Sequence, residues 1–296
     1  MKALTHEPTV RQRTLSKARV LLEALPYMKE HAGTTIVVKI GGAAMADRRL
    51  LDSFAEDVAL LRLAGIHPLI VHGGGPQVSA VSERLGLAPR FENGLRVTDA
   101  ETLEVARMVL VGSINKDLVA AINRQEIPAA GVSGDDGQLL IARSRGDDLG
   151  FVGEIVEVRA RILETLMDGF VPVVASIATD GRGQAYNVNA DEAASAIATA
   201  MGAAKLIYLT DVPGLIEEDH GAPSIVSEVS VQGCEQLVAR GTVSGGMLPK
   251  IEALVRAMRA GVERGHLLDG RVEHALILEL FTPEGLGTMV MPEAGP

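Results

Sequence analysis

The sequence predicts an α/β fold, a three-layer αβα sandwich around a mainly parallel open central sheet, with an extra helix at the N-terminus. Two observations carry this. Short apolar runs of strand length alternate with longer stretches of helical period, the pattern of a parallel sheet covered on both faces. Three glycine-bearing loops, Gly41-Gly42, Gly73-Gly74-Gly75 and Gly245-Gly246, are expected at the ends of apolar strands, where an open α/β sheet builds its binding edge.

The elements follow in order. Leu15, Ala18, Leu22 and Leu25 recur at helical steps, and Pro26 is expected to kink that helix and start a second turn over Tyr27 to His31. Nothing in its own sheet answers this stripe, so it reads equally as packing on its own subunit and as an intersubunit helix. Strands are expected at Thr35–Ile40, Pro68–Val71, Val171–Ser176, Leu206–Thr210 and Ala275–Leu280. Helices are expected at Leu50–Leu63, Pro76–Leu85, Ala100–Asn123, Ala160–Asp168, Ala190–Ala200 and Lys250–Arg264. Gly131 to Gly137 reads as a turn-rich connection, and Gln138–Ala142 with Gly153–Val158 as hairpin material.

Composition narrows the function. With 296 residues, 47% of them hydrophobic, the chain can bury a sizeable core as one domain or two lobes. A net charge of −10 argues against a nucleic-acid partner, and 3% aromatics with no Trp argue against stacking platforms for single strands. Cys234 is the single cysteine, which excludes an intrachain disulfide and a cysteine-rich metal site and fits a reducing cytoplasm. The polar start from Met1 to Arg13 has no apolar signal region, and Ala193 to Ala204 is too short for a membrane span. A cytoplasmic location without membrane attachment is therefore expected.

The chemistry-bearing stretches point to phosphoryl transfer. Lys39 stands beside Gly41 and Gly42, and Lys250 follows Gly245 and Gly246. Glycine backbones approach a phosphate closely, and lysines place point charges at the transferring oxygens. Each piece alone has a plain reading: Lys39 as a strand-end surface lysine, Gly73 to Gly75 as a tight turn, Asn189 or Asp191 as a helix cap, Lys250 as the start of a solvated helix. Their joint occurrence on one α/β pattern argues for a site. Walker A and protein-kinase motifs are absent, the G-x-G-x-x-G fingerprint fails at Val78, and a G-x-S-x-G elbow fails at Gly131 to Asp135.

These stretches resemble the amino-acid kinases, and specifically the N-acetyl-L-glutamate kinase family. The resemblance rests on Lys39-Ile40-Gly41-Gly42, His72-Gly73-Gly74-Gly75-Pro76, Asn93-Gly94-Leu95-Arg96-Val97-Thr98, Asn187-Val188-Asn189-Ala190-Asp191, Leu209 to Leu215 and Gly246-Met247-Leu248-Pro249-Lys250, and covers Thr34 to about Val290. It implies ATP-dependent phosphorylation of the γ-carboxylate of N-acetyl-L-glutamate, the second step of arginine synthesis. Lys39 and Lys250 would stabilise the transferring phosphoryl group, and Asp191 would hold both lysines. Gly74, Gly75, Arg96 and Asn187 would bind substrate, with Arg96 on its α-carboxylate. Gly41, Gly42, Thr210, Asp211, Gly214 and Leu215 would line the ATP site, with Mg²⁺ carried by the ATP rather than by a protein metal site. The resemblance further implies an oligomerisation and regulatory helix over 1–33, an acetylglutamate-binding, dimerising N-lobe over 34–202 and an ATP-binding C-lobe over 203–296. The N-terminal helix resembles that of family members inhibited by L-arginine, which assemble as homohexamers, trimers of dimers. Their arginine site would draw on His266 and Glu279, and a nitrogen-signalling protein is an open partner. A glutamate 5-kinase, a carbamate kinase and a non-catalytic arginine sensor on the same fold are the rival readings.

Overall fold

The computed structural model describes residues 10–92, 94–219, 222–243, 245–283 and 285–293. Asn93, Ser244 and the segment 1–9, which carry parts of the sequence-based expectations, lie outside them, as does the side chain of Leu15. In chain order, helix α1 (Val10–His31) leads into β1 (Thr35–Ile40), the short α2 (Gly42–Ala46), α3 (Arg48–Leu63), β2 (His67–His72) and α4 (Gly75–Arg84). A small hairpin follows, β3 (Phe91–Glu92) with β4 (Leu95–Arg96). Then α5 (Ala100–Arg107), a π-helical segment (Met108–Ile114) and α6 (Asn115–Asn123) run on from one another. Next come β5 (Ala129–Ser133), β6 (Leu140–Ser144), β7 (Gly153–Val158), α7 (Arg161–Met167), β8 (Val171–Ala175), β9 (Ile177–Thr179), β10 (Ala185–Asn187) and α8 (Ala190–Ala200). The last third holds β11 (Lys205–Thr210), β12 (Ile216–Asp219), β13 (Ala222–Ile225), β14 (Glu228–Ser230), α9 (Val231–Ala239), α10 (Met247–Arg259), β15 (Arg264–Asp269), α11 (Ala275–Phe281) and β16 (Thr288–Met291).

One eight-stranded sheet, in the order β14-β16-β15-β11-β1-β2-β8-β5, runs through the chain, and only the β15–β16 pair in it is antiparallel. Strand parity decides what lies on each face. Ile36, Val38 and Ile40 pack with Ile207, Leu209 and Leu268 under α3, the π segment, α6 and α11. Val37 packs with Leu206, Tyr208 and Leu267 under α8, α9 and α10. Lys39 shares the parity of Val37, so β1 delivers its ammonium to the face covered by α8 and α10. Lys205 and His266 share the parity of Ile207 and Leu268 and face the other way.

Four expectations need correction. Ala275–Leu280 falls in helix α11, not a strand; six residues, apolar but for Glu279, are too few for periodicity to tell strand from helix. Buried Asp57 of α3 accepts the Leu276 N–H at 3.2 Å and so satisfies a free donor at the start of that helix. The helix expected to reach Arg264 stops at Arg259; Gly261 turns the chain at φ +110°, and Arg264 opens β15. Part of the expected turn at Gly131 to Gly137 is strand β5, paired along β8. Gly245 and Gly246 follow helix α9 rather than a strand, so two of the three glycine loops, not three, close strands.

The N-terminal stripe also behaves unlike a core helix. Pro26 sits inside a continuous α1, and Ala24, Tyr27 and Met28 are the residues that pack on the core, with α11 alongside. Ala18, Leu22 and Leu25 of the expected stripe are exposed, together with Val20 and Leu21.

Candidate active site

Asp191 organises the centre. Asn189 caps α8 by accepting the N–H groups of Asp191 at 2.7 Å and Glu192 at 3.2 Å, which leaves the Asp191 carboxylate free of capping duty. That carboxylate lies 2.8 Å from Lys39 Nζ through Oδ1 and 2.8 Å from Lys250 Nζ through Oδ2. Lys39 comes from β1, Asp191 from α8 and Lys250 from α10, so three distant segments meet on one face of the sheet. Burial works to raise the Asp191 carboxyl, but the two ammonium groups outweigh it and hold it below the usual carboxylate range. Tyr208, on the same face of β11, donates its hydroxyl to the Asp191 carbonyl at 2.9 Å and ties the start of α8 to the sheet.

Two cavities meet at Lys39. The first, of about 280 Å³, is lined by Gly73 to Gly75, Arg96, Asn187 and Asp191 with apolar Val78, Ala106, Leu110 and Val152. The second, of about 340 Å³, is lined by Leu209, Thr210, Asp211 and Lys250. Lys39, Gly41, Gly42 and Pro76 belong to both. The glycines there answer to space. A Cβ on Gly74 would overlap Ile114 Cδ1 and sit 2.8 Å from Leu110 Cδ2, both on the π-helical segment, a feature that recurs near functional sites. A Cβ on Gly42 would stand 2.9 Å from the Pro76 ring and push the two glycine loops apart.

Arg96 is, with Lys39, a buried cation of the first cavity. Its Nη2 donates to the Gly75 carbonyl at 2.8 Å and to Ser79 Oγ at 2.7 Å, and its guanidinium lies 4.7 Å from the Phe91 ring centre. Nη1 is buried with no partner among the described residues. Burial lowers the Arg96 pKa, yet a guanidinium stays charged, so a cation with one unspent donor lines this cavity. Asn187 enters from β10, donating its side-chain N–H to Thr98 Oγ1 at 3.2 Å.

The remaining expected residues divide. Thr210 and Asp211 line the second cavity, where the Thr210 hydroxyl donates to the Val212 carbonyl at 2.7 Å. Gly214 and Leu215 lie off it: Gly214 takes φ +151°, and Leu215 is buried in the core with its N–H donated to Thr288 Oγ1 at 2.8 Å. His266 and Glu279 meet on the opposite face, 2.6 Å apart, and Lys205 Nζ lies 3.5 Å from His266 Nε2. Lys205, Ser79, Thr98 and Tyr208 escaped sequence reasoning. Strand parity offered a signal only for Tyr208 and Lys205.

The chain has known relatives. The sequence profile of the amino acid kinase family matches residues 34–269. An acetylglutamate kinase from Nostoc punctiforme is 47% identical over 284 residues, 95% of each chain. One from Symbiobacterium thermophilum is 48% identical over 290 residues, 95% of this chain and 99% of the relative. Among solved structures, the N-acetylglutamate synthase of Neisseria gonorrhoeae complexed with coenzyme A and N-acetyl-glutamate superposes with a TM-score of 0.84 at 27% identity over 94% of this chain. This chain spans 64% of that synthase chain.

Proposed function

The chain belongs to the amino acid kinase family, within it to the acetylglutamate kinases, and from that premise we propose that it transfers the γ-phosphoryl group of ATP to the γ-carboxylate of N-acetyl-L-glutamate. The observation that carries this is the pair of cavities joined at Lys39, one with a buried guanidinium, the other with Lys250, and Asp191 tied to both lysines. The substrate lies in the first cavity and the nucleotide, with its Mg²⁺, in the second. The substrate carboxylate attacks the γ-phosphorus; a P–O bond forms to it and the bond to the departing ADP breaks.

A carboxylate is already ionised at neutral pH, so the reaction needs no general base. It needs anions brought together. Lys39 and Lys250 meet the charge on the transferring group, the glycine loops offer N–H groups, and Asp191 keeps the two lysines in place. Lys39, Lys250 and Arg96 against the carboxylates of Asp191 and Asp211 give the joined cavities a net of one positive charge (3 − 2). Among the described residues, Asp191 is the one acid on the first cavity, and it already faces two lysines. A free α-ammonium finds no counter-charge there. An acylated nitrogen does fit, and Val78, Leu110 and Val152 are apolar neighbours for its methyl. That argues for N-acetylglutamate over glutamate.

The lobes follow the same division: residues 34–202 supply the acetylglutamate cavity, the glycine-loop wall of the nucleotide cavity and the dimer contacts, 203–296 supply its Leu209, Thr210, Asp211 and Lys250 side, and 1–33 assemble the dimers into a hexamer. Arginine, the end product of the synthesis this enzyme serves at its second step, inhibits it from the Lys205, His266 and Glu279 cluster. The exposed Val20, Leu21, Leu22 and Leu25 support the intersubunit role of the helix.

A coupled ADP-release assay tests the core of this. ADP is expected with N-acetylglutamate and not with glutamate or carbamate. Equal turnover of glutamate would overturn the assignment.

A further inference from the structure

The polarity of an asparagine amide is fixed by its neighbours, and here one neighbour decides it. Thr98 is fully buried between the two substrate-facing residues of the first cavity. Its hydroxyl carries one proton, donated to the Arg96 carbonyl at 2.8 Å. Toward Asn187, at 3.2 Å, the same oxygen has only lone pairs to offer. Asn187 must therefore turn its Nδ2 to Thr98. The reversed amide would set two acceptors against each other in a buried place, unless Thr98 withdrew its proton from Arg96. The backbone around Thr98 does not depend on that hydroxyl. Its N–H donates to the Leu149 carbonyl at 3.0 Å, its carbonyl accepts from Phe151 at 2.7 Å, and Phe151 in turn accepts from the Asn187 N–H at 2.9 Å.

We infer that Thr98 is a specificity-determining positioning residue: it fixes the Asn187 amide so that Oδ1, an acceptor, is left for the cavity and selects a ligand carrying an N–H there. With Arg96 lining the same cavity and its Nη1 without a partner among the described residues, an acceptor stands beside a cationic donor. An α-carboxylate with an N–H on the neighbouring carbon, the head of an N-acylated amino acid, matches that pair. The inference rests on the proposed substrate class and deepens it. It places the choice between an amide and other acyl links at a residue that touches no substrate.

The test compares N-acetylglutamate with its ester analogue, 2-acetoxyglutarate, which has oxygen in place of the N–H. The wild-type enzyme should favour the amide in kcat/KM, since a site built to accept an N–H leaves its acceptor unpaired without one. Thr98→Val removes the hydroxyl at similar size and should reduce that preference about tenfold, the order of one neutral hydrogen bond. Thr98→Ser should restore it, and KM for ATP should hold throughout. Should the Val variant not fold, Thr98→Ala carries the same comparison. An unchanged amide preference in Thr98→Val or Thr98→Ala overturns the inference and leaves the proposed activity standing. So does loss of fold in both, which would make the hydroxyl structural. A wild-type enzyme that turns over neither compound removes the proposed activity and the inference together.

Discussion

The central sheet carries a charged cluster on each face, and the two are built differently. On the face of α8 and α10, Lys39 and Lys250 share Asp191, near the C-terminal end of β1 and beside two cavities. On the face of α1 and α11, Lys205 and His266 meet Glu279 toward the start of β11 and β15. The first cluster keeps cationic groups beside open space. The second closes on itself: Glu279 receives His266 through Oε1 and the Leu286 N–H through Oε2. Burial works to raise Glu279, but the His266 hydrogen bond and charge outweigh it and hold its pKa below the ordinary value. Burial, and then Arg264, lower Lys205. The difference fits the roles proposed for them: a cluster that is to meet a transferring phosphoryl group leaves charge unspent, whereas one that is to take up an effector satisfies itself without it. Parity along a strand keeps the two apart with no intervening layer.

The largest effect that can break this contrast is on the catalytic face. Lys39→Ala or Lys250→Ala is expected to lower kcat by roughly 10²–10³, with smaller change in substrate affinity, as when other preorganised charge stabilisers are removed. Steady-state kinetics on both variants decide it, and near-normal turnover would mean that these lysines are structural.

A second measurement sets one buried histidine against another. His72 at the end of β2 is fully buried; its Nδ1 donates to the Gly73 carbonyl at 3.0 Å and its Nε2 accepts from Asn115 at 3.1 Å. Unlike His266 it has no acid partner among the described residues, and burial drives its pKa down from 6.5 to about 4. The unfolded chain takes up a proton near 6.5 and the folded one near 4, so between those values the unfolded state binds more protons. Stability from this group is complete above pH 6.5 and falls as the pH drops toward 4, by up to roughly 3 kcal/mol. Urea midpoints across that range should show the fall in the wild type and a flatter profile in His72→Gln. Parallel profiles would place the acid sensitivity elsewhere.

The face proposed to bind arginine gives the third test. Deleting residues 1 to 32 should leave an active dimer with blunted arginine inhibition, since coupling between sites is typically about 1–3 kcal/mol. Light scattering and an arginine titration report both halves. A persisting hexamer with unchanged inhibition would reduce α1 to packing.

The smallest effect concerns substrate grip. Arg96→Lys keeps the charge but loses the planar fork, so KM for N-acetylglutamate should rise about tenfold while KM for ATP holds. If only the ATP constant moves, the two cavities have been assigned the wrong way round.

The legible parts of the sequence were those whose meaning is local. β1, β2, β8 and β11 read as strands because burial on both faces makes them continuous apolar runs. Lys39, Asp191 and Lys250 stood out because each sits in a short glycine- or Asn-bearing motif. α11 was misread because one of its amide donors is satisfied by Asp57, 219 residues away in sequence. Ser79 carried no signal for the same reason, Thr98 only its place in the motif around Arg96, and Lys205 only the parity of its strand. Each acquires its role only from a partner that the fold brings up: Arg96, Asn187 and His266.

The wall between the two cavities has a consequence for chemistry aimed at this protein. The residues lining both are Lys39, Gly41, Gly42 and Pro76, so glycine backbone, one proline ring and one lysine side chain separate the two compartments. A single compound with an acylamino-dicarboxylate head, a short anionic linker lying along the glycines and a nucleoside tail could occupy both. Joining the ends makes the second binding event intramolecular, with an effective concentration in the mM range for a short tether. Specificity would come from the pairing of the two halves, the head meeting the cavity of Arg96 and Asn187 and the tail that of Thr210, Asp211 and Lys250.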